Sequence, residues 1–150
     1  VIAGTRRACA AATIVAALLL ASLSPGMAAQ GKRVAASEGW VKLPSAGQTQ
    51  AMAFVAIENP TMYGIYVTSA SSDAAGKVEL RDGSQGADAR LKPVEFISVP
   101  AYESLDMGAN GPHLMLLDLK RALKEGDRVS LALTTDNAGT LEVSAVVRKE

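Results

Sequence analysis

Near the end of the chain, Val129, Leu131 and Leu133 alternate with Ser130, Ala132 and Thr134. After a break, Leu141, Val143, Ala145 and Val147 alternate with Glu142, Ser144 and Val146. A period of two turns successive side chains to opposite faces of a strand, so each run presents one face to a core. Asp136-Asn137-Ala138-Gly139 between them is turn chemistry, and the two runs are predicted to form a hairpin. Upstream, Ala51–Ile57 is a continuous apolar run bounded by Gln50 and by Glu58-Asn59-Pro60. That length and those bounds suit a strand buried on both faces. Ile65–Ser69 and Lys77–Leu80 are shorter strand-like pieces separated by Ser71–Gly76. Short strands punctuated by turns predict an all-β sandwich or barrel, with Trp40, Phe54, Ile57, Leu131 and Val143 in its core. One competing signal, Leu116, Leu119 and Leu123, has the spacing of a short helical turn.

The first thirty residues differ in kind. Arg6 and Arg7 precede an apolar stretch, Ala8–Ala21, and Pro25, Gly26 and small residues through Ala29 follow. A basic, then apolar, then small-residue order is the pattern of a secretory signal peptide. The apolar stretch falls short of the roughly 20 residues that span a bilayer. Residues 1–29 are therefore expected to be a helical signal peptide, removed after Ala28 or Ala29, with one domain over 30–150. The product would be periplasmic or otherwise secreted, with no membrane contact after signal removal. Its only cysteine, Cys9, would leave with the signal.

What remains excludes several functions. The formal net charge of the chain is zero, and the predicted signal carries away two arginines and no acid. No basic footprint for nucleic acid is left. A single His and no remaining thiol exclude HExxH, CxxC and a cysteine nucleophile. Neither GxSxG nor a glycine-rich phosphate loop occurs. An enzyme is not expected.

The distinctive element is Gly111–Leu119, GPHLMLLDL. On a strand His113 and Met115 point to one face, and Leu114 and Leu116 to the other. With the leucines in the core, an imidazole and a thioether face outward together. Cu(I) is soft and accepts thioethers, and imidazole suits copper. Such a site needs no thiolate, which fits an oxidising compartment.

The segment GPHLMLLDLKRALKEGDRVSLAL closely resembles the C-terminal part of the periplasmic PCu(A)C-type copper chaperones. GWVKLPSAGQTQAMAFVAIEN, AAGKVEL and LKPVEFISVPA extend the resemblance, in the same order, over nearly all of residues 30–150. It implies a cupredoxin-like Greek-key β-sandwich. It also implies Cu(I) binding by His and Met, and copper delivery to the Cu(A) centre of cytochrome oxidase or related clients. His113 and Met115 match the closing His-x-Met of the family motif. The other two ligand positions fall on Arg81 and Leu91, and a guanidinium cannot bind a metal cation.

The site is therefore expected to be reduced or rebuilt. Were Tyr102–Met107 and the run from His113 paired as a hairpin across Gly108–Pro112, Met107 would stand opposite His113, completing a His113, Met107, Met115 set. Met62 lacks such a geometric case, and Met52 is expected in the core. The expected protein is a monomeric Cu(I) chaperone with a copper-receiving or envelope protein as partner. The alternative is a relative that has lost copper and acts as a protein-interaction module in the envelope.

Overall fold

A computed structural model describes residues 33–150. The predicted signal peptide lies outside the described residues. Among the described residues nine strands follow one another: β1 (Ala35–Lys42), β2 (Ala51–Asn59), β3 (Ile65–Ser72), β4 (Ala75–Asp82), β5 (Ile97–Val99), β6 (Glu103–Asp106), β7 (Pro112–Leu119), β8 (Arg128–Thr135) and β9 (Thr140–Arg148). Two short 3₁₀ turns, Gly83–Gln85 and Ala89–Leu91, lie between β4 and β5. Among the described residues no helix is long and apolar enough to cross a membrane.

The strands run in the order β1-β9-β8-β3-β4-β7-β2, and β2 pairs back onto β1, so the sheet closes on itself. β6 adds to β2 and β5 to β3. Closure removes most free edges, the part of a sheet that otherwise invites pairing with other chains.

The alternating runs behave as the period requires. Val129, Leu131 and Leu133 of β8, with Leu141, Ala145 and Val147 of β9, enter the core, while Ser130, Glu142 and Ser144 stay exposed. The hairpin joining them has Gly139 at φ +69 and is tied by Thr135, whose Oγ1 donates to Gly139 O (2.7 Å). From β2, Ala51, Ala53, Val55 and Ile57 enter the same core, joined by Leu114 and Leu116 of β7.

Several sequence expectations are corrected. Phe54, Ile57 and Leu131 are buried, but Val143 is only half-buried against the core. Trp40 is also half-buried, and it lies outside the core, stacked on Phe54 with ring centroids 4.5 Å apart and capped by the Arg148 guanidinium at 4.3 Å. Phe54 itself alternates with the inward-facing residues of β2, so its ring belongs to the outer face. Leu116, Leu119 and Leu123 do not form a helical turn: β7 runs through Leu119, and Leu116 and Leu123 reach the core from extended and turn backbone.

The expected hairpin across Gly108–Pro112 is absent as well. β6 and β7 both lie along β2, end to end. Ala51, Met52 and Ala53 pair with Leu116, Met115 and Leu114, and Ala56–Asn59 pair with Asp106–Glu103. The chain between is a looped-out insertion, closed by Gly108 N–H on Pro112 O (3.0 Å) and Gly111 N–H on Gly108 O (3.1 Å).

Asn59 ends β2 and is fully buried. Its Nδ2 donates to Tyr63 O (2.8 Å), Pro100 O (3.0 Å) and Val99 O (3.3 Å), and its Oδ1 accepts from Thr61 N and Oγ1. One side chain thus stitches the turn after β2 to the end of β5. Replacing it by alanine strands several buried carbonyls and should cost about 2–3 kcal/mol, read as a lower midpoint in urea denaturation.

Candidate metal centre

Strand register decides which side chains meet on the outer face. Across β1, β2, β7 and β4, one row reads Trp40, Phe54, His113, Arg81 and the next reads Lys42, Met52, Met115, Glu79. The pairings behind these rows are Trp40 with Phe54, Met52 with Met115, Arg81 with His113 and Glu79 with Met115. His113 and Met115 thus share a face, with Leu114 and Leu116 turned into the core. They are not open to solvent, however: His113 is 0% and Met115 8% exposed. The Phe54 ring lies 6.4 Å from the imidazole.

The imidazole is held in one orientation by its own strand entry. Nδ1 lies 2.9 Å from Gly111 O, a carbonyl that can only accept, so Nδ1 carries the proton. Nε2 is then a bare lone pair. It is buried and has no hydrogen-bond partner. An unsatisfied buried acceptor is costly, commonly about 1–3 kcal/mol, and calls for a ligand. A second nitrogen fixed by a backbone carbonyl is also how metal-binding histidines are oriented.

The methionines nearest His113 in the strand register are soft donors. Among the described residues no cluster of three or more His, Cys, Asp or Glu could hold a metal ion. Thioether sulfur beside an imidazole is a donor pair that suits Cu(I) better than harder ions. Met115 is the sulfur two residues along the strand. Met107 does not stand across a hairpin from His113. It is half-buried, packs against the core, and borders a groove of about 610 Å³ with Trp40, Phe54, Glu38 and Arg148. Its N–H donates to Val55 O at 3.2 Å. Met62 is 62% exposed in the β2–β3 turn. Met52, expected in the core, is instead outward-facing and directly across from Met115. A continuous apolar run carries no period to say which of its residues face out, so that position was hidden in the sequence.

Arg81 sits beside His113 rather than at a distance. Its Nη2 donates to Glu79 Oε2 (2.8 Å), and both side chains are largely buried. Leu91 lies on the second 3₁₀ turn and is exposed. Hydrogen bonds from Arg81, then from Lys77, hold the Glu79 carboxyl below the ordinary carboxylate range, against the opposing effect of burial. A folded-state pKa depressed in this way gives stability that is present above the unfolded-state value and lost as pH falls through the folded one. Arg81→Gln should therefore destabilise the protein at neutral pH and much less in acid, which urea denaturation at the two pH values would read.

Residues 34–147 match the family described as "Putative lipoprotein LpqE-like". "Putative lipoprotein Lxx21020" of Leifsonia xyli subsp. xyli (strain CTCB07) is 30% identical over 150 residues, covering 91% of this chain and 88% of that protein. The copper-bound PCuAC domain from PmoF2 superposes with a TM-score of 0.68 at 18% identity, over 79% of this chain and 95% of that one. CuI-DR1885 from Deinococcus radiodurans has a TM-score of 0.67 at 27% identity, over 81% of this chain and 83% of that one. The fold is thus the cupredoxin-like Greek-key β-sandwich of PCuAC domains, as the sequence resemblance implied. With a family match over most of its length, the chain belongs to the LpqE-like family.

Proposed function

We propose that this protein is an extracytoplasmic Cu(I) chaperone, not an enzyme, that carries copper on His113 and Met115 and passes it to cytochrome oxidase Cu(A) or a related client. The observation that carries the proposal is the buried, partnerless Nε2 of His113, with Nδ1 engaged by Gly111 O. The shared fold with a Cu(I)-bearing protein of 27% identity supports it. Copper is cargo in this reading. His113 supplies a neutral nitrogen of fixed tautomer, Met115 supplies sulfur, and the apolar surround of Phe54 and Trp40 keeps water from competing.

Export is supported by the basic and apolar order of the first 29 residues and by the lipoprotein description of the family. The proposed form is a monomer that meets its client in the periplasm or outside the cell.

Cu(I) competition against a chromophoric chelator tests the reading. The purified protein should take up close to one equivalent of Cu(I) and discriminate against Zn(II), because thioethers are poor ligands for a harder ion. Uptake no greater than that of His113→Ala would refute it.

One observation favours a second reading. Tyr63, Tyr66, Phe96 and Tyr102 are all exposed, and Tyr66 and Phe96 contact edge to face at 5.0 Å. Tyrosines presented this way are typical of protein-binding surfaces. An interaction module without copper would bind its envelope partner equally with and without His113, and lose it on substitution of these aromatics.

A further inference from the structure

We infer that Met52 is the third Cu(I) ligand and the outermost one, the position from which copper leaves. The inference rests on the proposed copper reading and adds the residue that completes the site. Met52 and Met115 are direct cross-strand partners on antiparallel β2 and β7. Such pairs hold their Cβ atoms about 4.5–5.5 Å apart, and the diagonal neighbour, here His113, lies about 7–8 Å away, within reach of a long side chain. Ala51 and Ala53 on either side of Met52 enter the core, which fixes its side chain on the His113 face.

Of the methionines in the described residues, Met52 is the one paired across strands with Met115. Met62 is in an exposed turn, and Met107 packs against the core. One imidazole nitrogen and two thioether sulfurs make a soft three-donor set, suited to Cu(I). It forms without the two family positions occupied by Arg81 and Leu91.

Exposure orders the three donors. His113 is fully buried, Met115 nearly so, and Met52 only half. Met52 and Met115 both line a surface hollow of about 270 Å³ walled by Lys42, Leu43, Pro44 and Gln50. An acceptor's donor atom entering that hollow meets the Met52 sulfur first. Transfer is then a ligand exchange. One copper–sulfur bond to Met52 breaks as one bond to a neutral thioether or imidazole of the acceptor forms, copper remains Cu(I), and no proton or electron moves.

The test compares Met52→Leu, Met107→Leu, Met115→Leu and His113→Ala, using Cu(I) alone against a chromophoric chelator together with X-ray absorption at the copper edge. Leucine replaces methionine at similar volume, so folding is retained, and the far-UV spectrum checks it. Met52→Leu should weaken binding by about 10–100-fold, the range expected when a residue of a metal site is lost. The wild type should show two sulfur scatterers and Met52→Leu one, while Met107→Leu matches the wild type in both measurements. Wild-type affinity and two sulfurs in Met52→Leu, with His113→Ala impaired, would overturn the inference and leave the copper reading standing. So would a loss confined to Met107→Leu. No difference between wild type and His113→Ala would instead remove the copper reading itself.

Discussion

Replacing His113 by alanine should abolish tight Cu(I) binding, weakening it by about a hundredfold or more, since losing even a supporting residue of a metal site costs about 10–100-fold. His113 is the only imidazole in the chain, so nothing can substitute for it. Its Nε2 is also already buried without a hydrogen-bond partner, so the bare lone pair has little to give up on meeting a metal. Acid should act in the same direction. Protons compete with copper for Nε2, and a protonated ring offers no lone pair. Chelator competition across a pH series should thus show affinity falling as pH is lowered, and the His113→Ala protein should show no such dependence.

Arg81→His should do the opposite and tighten binding by about tenfold or more, an increment of roughly 1.4 kcal/mol per tenfold. Arg81 is the direct cross-strand partner of His113, so a histidine there brings a second imidazole within about 5 Å at Cβ. It also removes a fixed positive charge from the neighbourhood of a cation. Arg81→Ala separates the two effects, because it removes the charge and adds no donor. Adding Leu91→Met supplies a sulfur at an exposed position where packing is not disturbed. The second imidazole should broaden metal choice as well, raising Zn(II) and Cu(II) affinity from a low base. Isothermal titration with each ion would register both changes, and an Arg81→His protein no tighter than wild type would show that the two side chains do not converge.

The parts of this fold that could be read from sequence are those whose order is local. The β8–β9 hairpin announces itself, because its alternation and its turn sit within twenty residues of one another. β1 was harder. Glu38 at φ +51 and a register shift between Ser37 and Trp40 break its period, and one of its two partners, β9, lies at the far end of the chain. β6 is short and mostly polar, and owes its extended form to β2. The pairing of His113 with Met115 on one face was legible from the two-residue spacing alone. Met52 was not, because alternation is invisible where both faces of a strand are buried. The misplaced hairpin had a related cause: Gly108–Pro112 is turn chemistry, and turn chemistry serves a looped-out insertion as well as a chain reversal.

That insertion has an evolutionary consequence. β7 takes its register from seven pairings with β4 and three with β2, none of which involves residues 108–111. Relatives could therefore lengthen, shorten or recompose residues 108–110 without shifting the His-x-Met pair by a single position. Residues 108–110 lie just before the strand of His113 and Met115, so sequence can drift there provided that the carbonyl of residue 111 still meets His113 Nδ1. Under the proposed function, client choice could diversify there by insertion and deletion while His113 and Met115 keep their places.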